Sequence, residues 1–252
     1  MSYSHISGGR HRSMDEGDGR PFSMNRTARI AGLFYLIFIS TFALADLLRS
    51  QFIVTGNAAA TAQNISSNEL LVRLSFLTEL ASALFFVLAA WALYVLLRSV
   101  NKDLALLFLF LNLGGVVVEC INMLNLLAAL MLLNGAGYLT ALPIDQLQAQ
   151  AQFYLDLYAN GIMIAQVFFA TWLIPLGYLV YRSGFLPRFL GILLMLDFVG
   201  VLVWLLQFFL LPDMGMLSYP GWVVSFVAEV SLTVWLLVRG VGGKGTASTV
   251  TG

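Results

Sequence analysis

Six long apolar runs separated by short polar breaks limit this chain more than any other feature. The runs are Ile30–Leu48, Leu70–Leu97, Leu104–Leu133, Tyr154–Tyr181, Phe189–Leu211 and Gly221–Val238. A hydrocarbon core about 30 Å thick takes about 20 apolar helical residues to cross, with shorter and longer spans tolerated. The runs are rich in Leu, Ala, Phe and Val and lack the strict alternation of a membrane β-strand. A helix also satisfies its own backbone hydrogen bonds in lipid, which an isolated strand cannot. Charged residues make up 10% of the chain, against about 25% in soluble domains, so a soluble fold is excluded. The expected fold is all-α: a polytopic bundle of six spans over residues 25–241. Residues 1–24 and 242–252 lack apolar periodicity and are expected to be disordered cytoplasmic tails.

The basic residues set the threading. Arg10, Arg12, Arg20, Arg26 and Arg29 precede the first run, Arg98 and Lys102 follow the second, Arg182 and Arg188 follow the fourth, and Arg239 and Lys244 follow the sixth. Of the 13 Lys and Arg residues, that leaves only Arg49 and Arg73 for the other side. The positive-inside rule then puts both termini in the cytoplasm. The breaks Asn134–Phe153 and Pro212–Pro220 carry no Lys or Arg and are expected outside. Tyr154, Tyr158, Tyr178, Tyr181, Tyr219, Trp222 and Trp235 flank the runs, as amphipathic rings do at the headgroup level.

Local signals refine the ends. Ser66-x-x-Glu69 has capping-box spacing before the second span, and Arg73 sits one turn beyond Glu69, placed to pair with it. Pro143 opens a helix that runs through Gln146–Gln152 into the fourth span, with Leu147, Ala151, Tyr154 and Tyr158 on one face. Pro175 interrupts the fourth span, where it removes one backbone donor and predicts a kink. Ala43-Leu44-Ala45 has signal-peptidase spacing, but the charged leader before it and the apolar residues after Asp46 favour an uncleaved first span.

Three stretches carry a resemblance: Asn25-Arg-Thr-Ala-Arg-Ile-Ala-Gly-Leu-Phe-Tyr35, Ala92-Leu-Tyr-Val-Leu-Leu-Arg98, and Gly177-Tyr-Leu-Val-Tyr-Arg-Ser-Gly-Phe-Leu-Pro-Arg188. They resemble the domain of unknown function 4386 family of bacterial integral membrane proteins. The likeness covers roughly Asn25 to Val241, and the Tyr-Arg-Ser-Gly-Phe-Leu-Pro-Arg segment is its most specific part. It implies a multi-pass protein of the bacterial inner membrane and supplies no activity and no catalytic residues. The leader before Met24 lies outside it, which makes Met24 an alternative start.

The chemistry inventory is short. Both histidines, His5 and His11, lie in the leader, so no core histidine serves as metal ligand, proton shuttle or base. The single cysteine, Cys120, lies in mid-span and reads as a small apolar residue. Neither a phosphate-cradling loop nor a zinc-binding His pair is present. No enzyme, cofactor, metal or nucleic-acid partner is therefore expected; the lipid bilayer is the partner the composition demands, with a small solute or proton as ligand.

Carboxylates remain. Glu79, Glu119, Asp197 and Glu229 fall inside spans, where an ionised side chain costs about 2.5–3.5 kcal/mol at mid-bilayer on insertion scales. By sequence no Lys or Arg lies at their depth, Arg73 being nearest, so neutral acids are the expectation. Asn112, Gly115, Glu119 and Asn122 share one helical face, as do Ser75, Glu79 and Ser82. Asp156 and Asn160 form a looser stripe on the fourth span. These faces predict one polar seam through the bundle, with Glu119 inward, beside Asn122 and near Glu79 or Glu229. Such a seam suits a small-solute, ion or proton carrier; a non-transporting lipid-binding, sensory or assembly module, with the same residues as interhelical glue, is the alternative. Two sets of three spans also suggest inverted halves, exchanging Glu79 with Asp197 and Glu119 with Glu229.

Overall fold

The computed structural model describes residues 20–54, 56–134 and 141–242, with side chains from Met24 onward. It contains seven α-helices and no strand among the described residues: α1 (Arg20–Ser50), α2 (Ala58–Ser67), α3 (Glu69–Leu97), α4 (Lys102–Leu133), α5 (Ile144–Arg182), α6 (Arg188–Leu210) and α7 (Tyr219–Val238), with a 3-10 turn at Gly215–Ser218. Six of them, all but α2, are long and apolar enough to cross a membrane. The architecture is that of a multi-pass membrane protein. Most of the expected tail residues, and residues 135–140 of the break Asn134–Phe153, lie outside the described residues. Helix α1 begins at Arg20, within the stretch expected as tail.

Helix α2 was not anticipated. Its N-cap is Asn57, whose side chain accepts from the Ala60 amide at 2.9 Å. It buries Thr61, Ala62 and Ile65 against the ends of the neighbouring spans. Ile65 joins Phe52, Val72, Met123, Leu126 and Leu155 in an apolar cluster. Ser66 is thereby drawn into α2, so the Ser66–Glu69 capping box does not form. Asn68 instead joins the two helices, its amide donating to the Asn64 and Ile65 carbonyls. The Glu69–Arg73 pair does form, with Nε 2.6 Å from Oε1. Helix α5 starts after Pro143 and continues without a break through Pro175.

The six spans close into a ring in chain order. Each packs on its neighbours in sequence, and α7 returns to α1. One cluster fills the centre, with Tyr35 from α1, Phe86 from α3, Phe108 from α4, Trp172 from α5, Leu194 from α6 and Leu232 from α7. The Trp172 ring lies 5.0 Å from Phe86, 6.2 Å from Phe108 and 6.5 Å from Tyr35. Lipid tails are as apolar as these side chains, so packing contacts, not escape from water, hold the ring. Glycines set its tightest approaches. A Cβ at Gly177 would lie 2.8 Å from the Gly191 carbonyl on α6, and one at Gly200 would lie 2.8 Å from Cα of Gly221 on α7.

A ring in chain order excludes the inverted halves. Seen from one end, both sets of three helices run around the ring in the same sense. The second set crosses the bundle in the opposite direction. The two halves therefore have opposite hands, and no rotation superposes them.

The end of the bundle that carries most of the basic residues, here the basic end, is tied by the stretches that carry the resemblance. Gly184, at φ +71°, turns the chain between α5 and α6. Ser183 Oγ donates to the Val180 carbonyl at 2.8 Å and accepts from the Leu186 amide at 3.1 Å. The Phe185 carbonyl accepts from the Gly242 amide at 3.0 Å, and Asn25 Oδ1 accepts from the Val241 amide at 2.8 Å. The start of α1, the α5–α6 turn and the residues after α7 thus meet in one knot.

Candidate functional site

The buried polar residues gather in two clusters. The first lies toward the end opposite the basic one, the far end, where α1 finishes. Asp46 and Arg49 stand one turn apart on the last turns of α1. Ser75, Glu79 and Ser82 share the buried face of α3, as their spacing predicts. Tyr158 continues the buried face of α5 that starts at Leu147, Ala151 and Leu155. Arg49 Nη1 donates to Glu79 Oε2 at 2.7 Å and also to the Tyr158 hydroxyl. That hydroxyl donates to Glu79 Oε1 at 2.5 Å, which closes a triangle between three helices. The guanidinium lies 5.1 Å from the Tyr158 ring centroid, a cation–π contact. Its Nη2 reaches Asp46 at 3.2 Å, on the exposed side. Arg49 and Glu79 are 9% and 2% exposed, so this ion pair is sealed from its surroundings.

Helix α4 supports the triangle. Asn122 Nδ2 donates to the Tyr158 carbonyl at 2.8 Å, and Asn122 Oδ1 accepts from Asn125 Nδ2 at 3.0 Å. A side chain at Gly161 would collide with that asparagine, so glycine there lets α4 and α5 close on each other. Glu119 is half-buried one turn away, within electrostatic reach of both Glu79 and Arg49. It makes no direct hydrogen bond among the described residues.

The second cluster lies between α1, α6 and α7. Asp197 is fully buried; its Oδ1 accepts from Ser225 Oγ, and its Oδ2 has no partner. Glu229 follows Ser225 by one turn of α7 and is within electrostatic reach of Asp197. The Tyr35 hydroxyl is fully buried and faces Glu229.

The expected single seam is therefore two clusters, with the aromatic packing around Trp172 in the centre. Glu119 lies beside Glu79 and Asn122, as its face predicts, and away from Glu229. Asn112 is buried, but both its side-chain atoms lack partners. Asp156 and Asn160 do not join either cluster. Both are exposed, and they close local bonds, Asp156 accepting from Gln152 at 2.8 Å and Asn160 donating to the Asp156 carbonyl at 2.8 Å. They sit beside, not on, the Leu155–Tyr158 face. Arg49 corrects the reading that no basic residue reaches the acids. It closes the first span at the depth where Glu79, ten residues into α3, arrives from the other direction. Tyr158 is 2% exposed, a core residue and not an interface ring. Tyr178, Tyr219 and Trp222 are exposed, as expected of interface rings.

The model of the family described as domain of unknown function (DUF4386) matches residues 30–240. This chain belongs to that family. Both clusters fall within the residues matched by DUF4386, as do α2 and the turn at Gly184. An uncharacterized protein of Archaeoglobus fulgidus is 30% identical over 160 residues, covering 61% of this chain and 76% of its own length. The likeness thus reaches an archaeal protein as well as the bacterial ones expected. No solved structure matches the chain. Membership of DUF4386 brings no activity with it, so function rests on the clusters themselves.

Proposed function

We propose that this protein is a membrane carrier for a small solute or proton, with the Arg49–Glu79–Tyr158 triangle and Glu119 as its binding site. The buried triangle carries the reading. Desolvating two charges offsets much of their attraction, so a sealed ion pair adds little to stability compared with apolar packing. Ionisable groups inside membrane spans mark substrate or proton pathways more often than structural glue. Arg49 offers guanidinium donors to an anionic or hydrogen-bonding solute that displaces Glu79 or Tyr158. Glu119, without a hydrogen-bond partner, is the nearest group that a proton or solute can engage. The positive-inside distribution supports both chain ends in the cytoplasm and the bacterial inner membrane as location. The reading involves no covalent chemistry, no cofactor and no nucleic acid.

The test is flux in proteoliposomes. Purified protein is reconstituted around a trapped pH-sensitive dye, and a potassium diffusion potential is imposed. Wild-type protein is expected to acidify or alkalinise the lumen faster than empty vesicles, alone or with a co-substrate from a panel of small organic acids and amines. Glu119→Gln and Arg49→Met are expected to abolish the flux. Folded wild-type protein no faster than empty vesicles under every condition refutes the carrier reading. The packed centre around Trp172 favours the alternative, a non-transporting module, and an inert protein that co-purifies with one stable partner is the outcome it expects.

A further inference from the structure

The wall of the ring is recessed toward its far end, between α3 and α4. A groove of about 250 Å³ lies there, walled by Val72, Phe76 and Leu77 of α3 and by Leu126, Leu127 and Leu130 of α4. Apart from Arg73, every residue that lines it is apolar. Water finds no hydrogen-bond partner on such a lining. Val72, Leu126 and Leu130 are buried and form the floor as part of the packed core, whereas Leu77 is 59% exposed on the rim, so the groove opens sideways from the bundle. Inside a bilayer, the apolar group that reaches it is an acyl chain.

Arg73 lines the same groove at its shallow end. Helix α3 has 29 residues, and centred on a hydrocarbon core about 30 Å thick it overhangs by about 7 Å at each end. Arg73 follows Glu69, the first residue of α3, by one turn, so it lies about 6 Å below the helix start, where headgroups meet hydrocarbon. Phe76 and Leu77 lie one turn deeper, among the acyl chains. Arg73 is also the accessible cation of this end. Of the two basic residues there, Arg49 is sealed in the triangle, whereas the Arg73 side chain is 57% exposed.

The charges at the mouth narrow the headgroup. Arg73 meets Glu69 through Nε and Nη2, both on Oε1. A guanidinium carries five N–H donors, so Nη1 remains for a phosphate, which its planar fork suits. Glu69 is 44% exposed and keeps Oε2 for a donor. Together they present a cation and an anion side by side. An anionic headgroup without an amine sets its charge against Glu69, and a choline headgroup offers that carboxylate no N–H. From the groove, its depth and this charge pair we infer that the protein binds one phospholipid with a primary-ammonium headgroup, its acyl chain between α3 and α4, its phosphate on Arg73 and its ammonium on Glu69. The site shares no residue with either polar cluster. The inference goes beyond the carrier reading, since the lipid binds whether or not a solute crosses.

Lipid binding to the intact protein tests it. Full-length protein in detergent, freed of lipid, is titrated by native mass spectrometry with phosphatidylethanolamine, phosphatidylcholine, phosphatidylglycerol or diacylglycerol of matched chains. One phosphatidylethanolamine per chain is expected, held about fivefold or more tighter than each of the others. Arg73→Gln is expected to erase that preference. Glu69→Gln should turn it toward phosphatidylglycerol, because the repelling carboxylate is gone. Leu77→Trp, placed on the exposed rim, should fill the groove and weaken every phospholipid about tenfold. Arg98→Gln, exposed at the basic end, should keep the wild-type preference. Phosphoethanolamine without chains is expected not to compete, which separates a lipid from a free phosphate. Each variant is first melted to show that it is folded. Equal binding of the four lipids by wild-type protein overturns the inference, as does tighter binding of phosphatidylglycerol. An undiminished preference in folded Arg73→Gln, or competition by phosphoethanolamine at the lipid's own concentration, overturns it as well.

Discussion

Replacing Arg49 with methionine gives the sharpest test of how the first cluster holds together. The substitution keeps the apolar stem and removes the guanidinium. Glu79, only 2% exposed, then loses its basic partner, and the Tyr158 hydroxyl loses one donor. Leaving one member of a buried pair uncompensated costs about 3–5 kcal/mol. Tyr158 still donates to Glu79 and offsets part of that, so a loss of about 2–4 kcal/mol is expected. Glu79→Gln should cost less, about 1–3 kcal/mol, because the amide still accepts from Tyr158 and the stranded cation can turn toward Asp46 on the exposed side. Combining Arg49→Met with Glu79→Gln removes both charges, and the pair should recover at least 1.5 kcal/mol relative to the sum of the single changes, within the usual range for residues in one network. Unfolding in mixed micelles, followed by far-ultraviolet circular dichroism, measures all four corners of the cycle. A single Arg49→Met variant within 0.5 kcal/mol of wild type, or costs that add to within about 0.5 kcal/mol, would mean that the pair is not coupled as the geometry requires.

Three further outcomes follow from the packing. Gly200→Val places a side chain against the Gly221 backbone, where even a Cβ comes within 2.8 Å, and should destabilise the protein by about 1–3 kcal/mol; Gly215→Ala, with nothing within 4 Å, should be silent in the same melt. Gly184→Ala meets no neighbour, yet φ there is +71°, so a loss of about 1–2 kcal/mol is expected from backbone strain alone, and an unchanged Tm would refute that account. Asn112→Leu removes a buried amide whose nitrogen and oxygen both lack partners, so stability should hold or rise; if flux falls in the same protein while Tm does not, Asn112 belongs to the transport path.

The fold was legible because lipid imposes one rule on every span. Run length, the helix start at Pro143, and the buried face of Ser75, Glu79 and Ser82 follow from single-helix signals. Periodicity says which side of a helix is buried but not what it meets. Arg49 and Glu79 are 30 residues apart and Glu79 and Tyr158 are 79 apart, and only the closed ring brings them together. Tyr158 carried a second misleading signal, since a tyrosine near a span end matches the pattern of a headgroup ring. Asp156 and Asn160 were misread for a related reason: a polar stripe near a helix end can satisfy itself locally or in the headgroup layer, without turning inward. Helix α2 was missed because ten residues of Ala, Thr, Gln, Asn and Ser carry little hydrophobic contrast; its one strong apolar side chain, Ile65, cannot define a period alone.

The ring is a wall one helix thick, and this bears on how anything reaches its interior. Among the described residues no second layer of helices stands between the buried groups and the acyl chains, so parting two neighbouring helices is enough to open a route from within the bilayer. Asp197 and Ser225 bridge just such a boundary, between α6 and α7, where Gly200 and Gly221 meet backbone to backbone and Trp204 packs edge-on against Trp222. A molecule that partitions into lipid first would find its entrance along the side of the barrel, with no need for a pore at either end.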